Sequence, residues 1–493
     1  MRSLLVAAAI LATAHAQDVY DIVVPAFSVA GSGATASYGS DGMAYVTTDC
    51  TSDSVTNADQ DQYDRWLGVS SDQAFEMAII NWFYDGVTGS LTFPEYVSNF
   101  FNGPEGMNCG ATAPSVGCES PTQCDDVNHP AGYFILNSFV SVHSMLYNFF
   151  DAFTTAEADM TTSIGTFSST FAQIEDVQAE IDMILNVLGL GYALAVAPVW
   201  NKWLKEMPAF SKSSASNWLG TAKDSMNGLV SNGITIIKST GAWADTQNNQ
   251  NLLSYYMGEL IKSWATGISD TNEQLFNGSV PSIENLYRLI DEGQVMEETS
   301  TSGTMDIVQY IEQSLYPILI PYAWSLSNMN SHPFVMDSGY DCSNTYPDLY
   351  HDYMTQEVAD AVSVCYNDKL YYLLDARNCQ VDCGAQVSMH GSVCSPTQFD
   401  VPLGTETMDG AAWGGVTVAN LTISAVNGYV NNGNANGWAL LNPEVAAEMD
   451  RIWNDGINAA GVVQIPVCDF GTAQYNWINC DVDADNYPCQ PIV

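Results

Sequence analysis

The stretch MTTSIGTFSSTFAQIEDVQAEIDMILNVL, residues 160–188, decides how the chain is read. Its apolar residues Met160, Ile164, Phe167, Phe171, Ile174, Ile181, Leu185 and Leu188 recur at steps of 4, 3, 4, 3, 7, 4 and 3. Steps of three and four keep one stripe on one side of an α-helix with its period of about 3.6 residues. Gln178 interrupts the seam, with Val177 beside it. A second, looser series runs Leu253, Met257, Leu260, Trp264, Ile268 and Leu275. Two long helices with such stripes bury them against each other, which predicts a mainly α fold built on a long antiparallel hairpin or bundle. Both stripes are read as core, with no cofactor role.

The segment between the two series is unusual. Met183 to Asn201 carries no charge, and Trp200, Trp203 and Trp218 follow closely. Lys202, Lys205, Lys212 and Lys223 reverse the sign of an otherwise negative chain. One reading of 183–223 is a hydrophobic tip that contacts membranes, since about 20 apolar residues span a bilayer as a helix. The preferred reading is a helix buried in the bundle, which explains the same apolarity without a membrane.

Outward from this middle, cysteines mark two flanks. Cys50, Cys109, Cys118 and Cys124 form one group; Cys342, Cys365, Cys379, Cys383, Cys394, Cys468, Cys480 and Cys489 form the other. No cysteine lies between 125 and 341, so that stretch depends on packing. The division expected is a disulfide region over 17–130, a helical domain over 131–340 and a disulfide-rich region over 341–493. In the first flank, Ser70-Ser71-Asp72-Gln73 and Thr92-Phe93-Pro94-Glu95 fit capping boxes ahead of short helices. In the second, Val416, Val418, Leu421 and Ile423 predict a strand, Asn427 to Gly437 a turn, and Asn442-Pro443 the start of a helix closed by Gly461.

The start of the chain reads as a secretion signal over residues 1–16. Arg2 precedes an apolar run, and Ala14-His15-Ala16 has the small-x-small pattern that predicts cleavage before Gln17. An even count of 12 cysteines behind such a signal predicts disulfides in an extracellular compartment. Asn277-Gly278-Ser279 and Asn420-Leu421-Thr422 are acceptor sequons for N-glycosylation, at Asn277 and Asn420. With 12 Lys plus Arg against 56 Asp plus Glu, the net charge of −44 excludes nucleic acid as a partner.

Short motifs carry a resemblance. The run Leu91-Thr92-Phe93-Pro94-Glu95-Tyr96-Val97-Ser98-Asn99-Phe100-Phe101 precedes the loop of Cys109, Cys118 and Cys124. A helix then starts near Tyr133-Phe134-Ile135-Leu136, followed by a long helix, a Gly/Ala-rich apolar segment and a second long helix. In this layout the chain resembles a group of uncharacterised secreted proteins of filamentous fungi. The resemblance implies no known activity and no catalytic residues.

Chemistry is sparse in the sequence. G-x-S-x-G, H-E-x-x-H, Walker and G-x-G-x-x-G motifs are absent. No metal or cofactor is expected, because C-x-x-C is missing and histidines are few. Asp481, Asp483 and Asp485 have calcium-loop spacing, but Asn486 and Ile492 stand where the glycine and glutamate belong, so a solvated acidic turn is the reading. His143 sits among Phe139, Leu146 and Phe150 and is read as a core histidine. His351-Asp352 lacks a nucleophile beside it. The main functional reading is a non-enzymatic secreted binding or surface-acting factor. The alternative is an extracellular carbohydrate-active hydrolase using paired carboxylates, with Trp and Tyr lining a sugar groove.

Overall fold

The computed structural model describes residues 44–113, 117–118, 122–172, 181–206, 227–228, 230–231, 233–235, 253–296, 304–327, 331–377, 398–437, 439–440, 446–479, 482 and 485–491. The helices, in chain order, are α1 (Gln62–Gly68), α2 (Ser71–Asn81), α3 (Phe93–Phe100), α4 (Pro130–Phe171), α5 (Ile181–Glu206), α6 (Leu253–Phe276), α7 (Val280–Ile290), α8 (Thr304–Ser325), α9 (Gln356–Val362), α10 (Val418–Asn431), α11 (Ala446–Asp455) and α12 (Phe470–Asn479). Strands β1 (Pro333–Asp337), β2 (Ser363–Tyr366), β3 (Lys369–Asp375) and β4 (Val467–Asp469) form one sheet in the order β2-β3-β1-β4. The fold is mainly α with minor β, as the stripes predict. At 42 residues, α4 is about 60 Å long.

The chain divides into two compact units that are interleaved in sequence. The first holds residues 1–151, 200–233 and 265–303. Its core is aromatic: Phe75 stacks on Tyr287 and meets Phe139 edge-on, while Trp82 meets Phe93 and Phe139 meets Phe276. The Thr92 capping box sets the start of α3, with the Thr92 amide donating to Glu95 at 2.8 Å. Disulfides Cys50–Cys124 and Cys109–Cys118 staple this unit.

The second unit holds residues 152–199, 234–264 and 304–493. Here Phe153 packs between Tyr192 and Trp264. Gly191 is required by this contact, since a Cβ there would lie 2.8 Å from the Trp264 ring. Phe167, Phe171 and Tyr316 surround Trp413. In the sheet, β1 runs antiparallel to β3 and parallel to β4, with Asp337 level with Asp469. β2 and β3 form a hairpin turned at Asn367-Asp368, both left-handed, the backbone that a tight two-residue hairpin needs. Cys365 lies in the edge strand β2 and bonds Cys342; Cys468 lies in the edge strand β4 and bonds Cys489. All four described bridges therefore stay within the two cysteine groups.

Three sequence expectations are corrected. Ser70 has a left-handed backbone (φ 56°) and makes no side-chain cap, so α2 starts without the expected capping box. Val418, Leu421 and Ile423 lie in helix α10, not a strand, because Thr417 and Asn420 form a capping box that outweighs β-branched propensity. The same helix runs on through Asn431, so the turn begins only at Asn432. The preferred reading of the apolar segment as buried helix agrees with the structure where it is described: Leu190 to Ala197, Val199, Trp200, Trp203 and Leu204 are buried, and Lys202 and Lys205 point to solvent. Among the described residues no helix is long and apolar enough to cross a membrane. Residues 207–223 of that segment lie outside the described residues.

Candidate functional site

Parallel pairing of β1 and β4 ends in two carboxylates. Asp337 and Asp469 are the last residues of these strands and are direct neighbours in register. Adjacent strands lie about 4.8 Å apart, which sets the scale of the separation between the two side-chain roots. Beyond the strand ends opens a cleft of about 500 Å³. Tyr340, Leu349, Tyr350 and Phe470 supply its apolar walls, and Asp341, Asp368 and Lys369 its further charges. Tyr340 and Leu349 are 41% and 53% exposed.

Local hydrogen bonds fix the acids. Asp469 caps α12, accepting from the Thr472 amide at 3.0 Å and its hydroxyl at 2.9 Å. Burial pushes the Asp469 carboxyl up, but the bonds from Thr472 and the Gly471 amide outweigh it and hold the group below the usual carboxylate range. Hydrogen bonds from the Ser343 side chain and amide hold exposed Asp341 low as well. Asp337 accepts from the Gly339 amide at 2.9 Å and pairs with Lys369 at 3.3 Å. Tyr350 donates to the Ser338 carbonyl, and burial, with Tyr340, Asp337 and Asp469 nearby, pushes its hydroxyl up. The cleft thus presents ionised carboxylates beside tyrosine and phenylalanine rings. That combination accepts hydrogen bonds from hydroxyl or ammonium groups and packs against the apolar face of a sugar ring.

A second carboxylate group sits in the first unit and differs in kind. Asp72 of α2 and Asp291, just after α7, share a hydrogen bond, and the Trp66 indole also donates to Asp72. Burial and then mutual repulsion push Asp291 up, so this pair holds a proton at neutral pH. Carboxyls in direct hydrogen-bond contact leave no room for a glycosidic bond between them, so the pair does not meet the geometry of a glycosidase.

The sequence-predicted residues are distributed as follows. Cys50, Cys109, Cys118, Cys124, Cys342, Cys365, Cys468 and Cys489 are bonded as described. Cys379, Cys383, Cys394 and Cys480 lie outside the described residues, as do Asp481 and Asp483 of the acidic turn. Asn277 is exposed in the turn between α6 and α7. Asn420 accepts from the Thr417 amide at 3.0 Å, and Thr422 of its sequon is buried. His143 is buried, its Nδ1 2.9 Å from the Cys109 carbonyl oxygen, to which the Asn272 amide also donates. His351 stacks on Tyr346. Nothing in the sequence singled out Asp337 and Asp469; their shared D-at-strand-end position was the one signal, and it needed the pairing to be seen.

No family model matches the chain, and no solved structure matches it. Two proteins of Penicillium expansum do. Over 470 residues the chain is 29% identical to a probable chitinase, LysM18, covering 87% of this chain and 32% of that protein. Over 476 residues it is 25% identical to the secreted chitinase LysM12, covering 86% and 31%. The chain therefore spans about a third of the length of the curated relatives it matches. A fungal relationship agrees with the sequence motifs; the relatives, however, carry a named activity, which corrects the expectation of a group without one.

Proposed function

We propose that this chain is an extracellular carbohydrate-active protein that holds a chitin-type polysaccharide in the cleft at the ends of β1 and β4. The observation that carries the reading is the registered pair Asp337 and Asp469 beneath exposed Tyr340 and Leu349. The names of the relatives supply the ligand class. Binding is the favoured activity, because the bonds from Thr472 and the Gly471 amide hold Asp469 low and so unsuited to donate a proton. Hydrolysis is the second reading: two aspartates on adjacent strand ends are the residue pair that glycosidases use.

Calorimetry with N-acetylglucosamine hexamer, followed by mass spectrometry of the incubated sugar, tests both readings. Binding without shorter products is expected. Asp337→Asn and Tyr340→Ala should each weaken binding at least about tenfold, the loss of one charge-assisted hydrogen bond or one ring contact. Shorter products that vanish in Asp337→Asn would establish the hydrolase instead. The absence of both binding and cleavage would overturn the carbohydrate reading.

A further inference from the structure

The first unit has a cavity of its own, and one sequon stands on its rim. The cavity, about 530 Å³, is lined by Trp82, Leu91, Asn108, Thr112, Glu273 and Asn277 among others. This size lies within the range of about 300–1,000 Å³ typical of small-molecule sites. Asn277-Gly278-Ser279 is the whole connection between α6 and α7. The turn is held firmly: Asn277 Oδ1 accepts from the Ser279 amide at 2.8 Å, and the Gly278 carbonyl accepts from the Trp82 indole at 2.8 Å. Gly278 has φ +75°, and a Cβ there would strike the Trp82 ring at 2.6 Å, so the chain can pass this close to Trp82 only as glycine. Asn277 itself is exposed, and its Nδ2 donates to no described residue. Leu91, also in the lining, is 38% exposed and gives an apolar surface to a cavity that also holds the polar Asn108, Thr112 and Glu273.

We infer that Asn277 carries an N-linked glycan whose first two N-acetylglucosamine units lie in this cavity as a built-in ligand. Transfer from the lipid-diphosphate oligosaccharide of the secretory pathway forms the bond from Asn277 Nδ2 to sugar C1. The bond from C1 to the diphosphate oxygen breaks, the diphosphate leaves with the electron pair, and Nδ2 gives up one proton. The rigid turn then holds the tether at the cavity wall. The apolar face of the sugar meets Leu91, and its hydroxyl and acetamido groups meet Asn108, Thr112 and Glu273. This inference concerns the first unit and does not rest on the cleft of the second.

An endoglycosidase that cuts between the two core N-acetylglucosamine units provides the test, with protein secreted from a eukaryotic host. Peptide mapping should find Asn277 occupied. Native protein should be trimmed there at least about tenfold more slowly than denatured protein, since the sugar must leave the cavity before the enzyme reaches it. Ala111→Trp, which fills the cavity from its lining, should restore fast trimming without removing the sequon. Should that variant fail to fold, Leu91→Ser serves in its place on the exposed wall. An unoccupied Asn277, or equal trimming rates in native and denatured wild type, would overturn the inference.

Discussion

At the scale of single residues, the proton shared by Asp72 and Asp291 governs how stability responds to pH. Burial and then the neighbouring Asp72 charge push Asp291 up to about 9, against about 3.9 for an unfolded aspartate. Below about pH 4 folded and unfolded chains both hold this proton; between about 4 and 9 only the folded chain does. The stability it contributes is therefore complete in acid and lost as pH rises through that window. The surroundings reinforce the effect, since Glu76 and Glu292 add negative charge beside Tyr63 and Tyr287, with Asp64 nearby. Wild type should melt at a lower temperature at pH 8 than at pH 5. Asp291→Asn, which keeps a donor toward Asp72 and cannot ionise, should flatten that slope and gain on the order of 1–3 kcal/mol over wild type at pH 8. Parallel pH slopes for the two proteins would show that the pair does not set the dependence.

At the scale of elements, α5 and α10 test how apolar sequence becomes structure. Leu190 is buried in α5, so Leu190→Asp places a carboxylate without a partner in the core. A loss of about 3–5 kcal/mol is expected in denaturant titration, and wild type should leave neutral liposomes intact. Dye release from liposomes by wild type would revive the membrane reading. For α10, Thr417→Ala removes an N-cap whose hydroxyl accepts from the Asn420 amide at 3.2 Å, and should cost about 1 kcal/mol. The long helices were legible in part, because apolar stripes extend over many turns: Met160, Phe167, Phe171, Leu260, Trp264, Ile268 and Leu275 are all buried, but the first stripe, read as one helix, runs from the end of α4 at Phe171 to α5, which starts at Ile181. Helix α10 was not, because Val416, Val418 and Ile423 look like a strand. Its capping box also uses Asn420 in place of the usual Glu or Gln. The cleft was illegible for a different reason. Asp337 and Asp469 lie more than a hundred positions apart, and only the parallel register of β1 with β4 makes them neighbours.

At the scale of the whole molecule, a net charge of −44 acts on any cationic ligand. The cleft adds Asp337, Asp341, Asp368 and Asp469 against Lys369. Glucosamine oligomers, which carry ammonium groups in mild acid, should therefore bind more tightly than their acetylated counterparts, and salt should weaken them more. Diffuse attraction is separated from cleft binding by two double variants. Asp337→Asn with Asp341→Asn should reduce affinity at least about tenfold, whereas Asp59→Asn with Glu105→Gln, exposed acids of the first unit that do not line the cleft, should not. Equal effects from the two pairs would assign the attraction to the overall field.

The small sheet also has a bearing on the fate of the chain outside its native setting. Its two outermost strands, β2 and β4, are four and three residues long, and each is pinned by a cystine, through Cys365 and Cys468. Unpaired strand rims are templates on which further chains can grow, and shortness with covalent anchoring keeps these rims from lengthening. A thiol reductant removes the anchors while leaving the stripe-packed helices their cores. Reduced protein should then convert into thioflavin-positive multimers before its helical circular dichroism is lost, and alkylated material should do so irreversibly. The bridges guard the chain against polymerising with itself, a hazard that a solubilising charge of one sign restrains only while the salt around it is dilute.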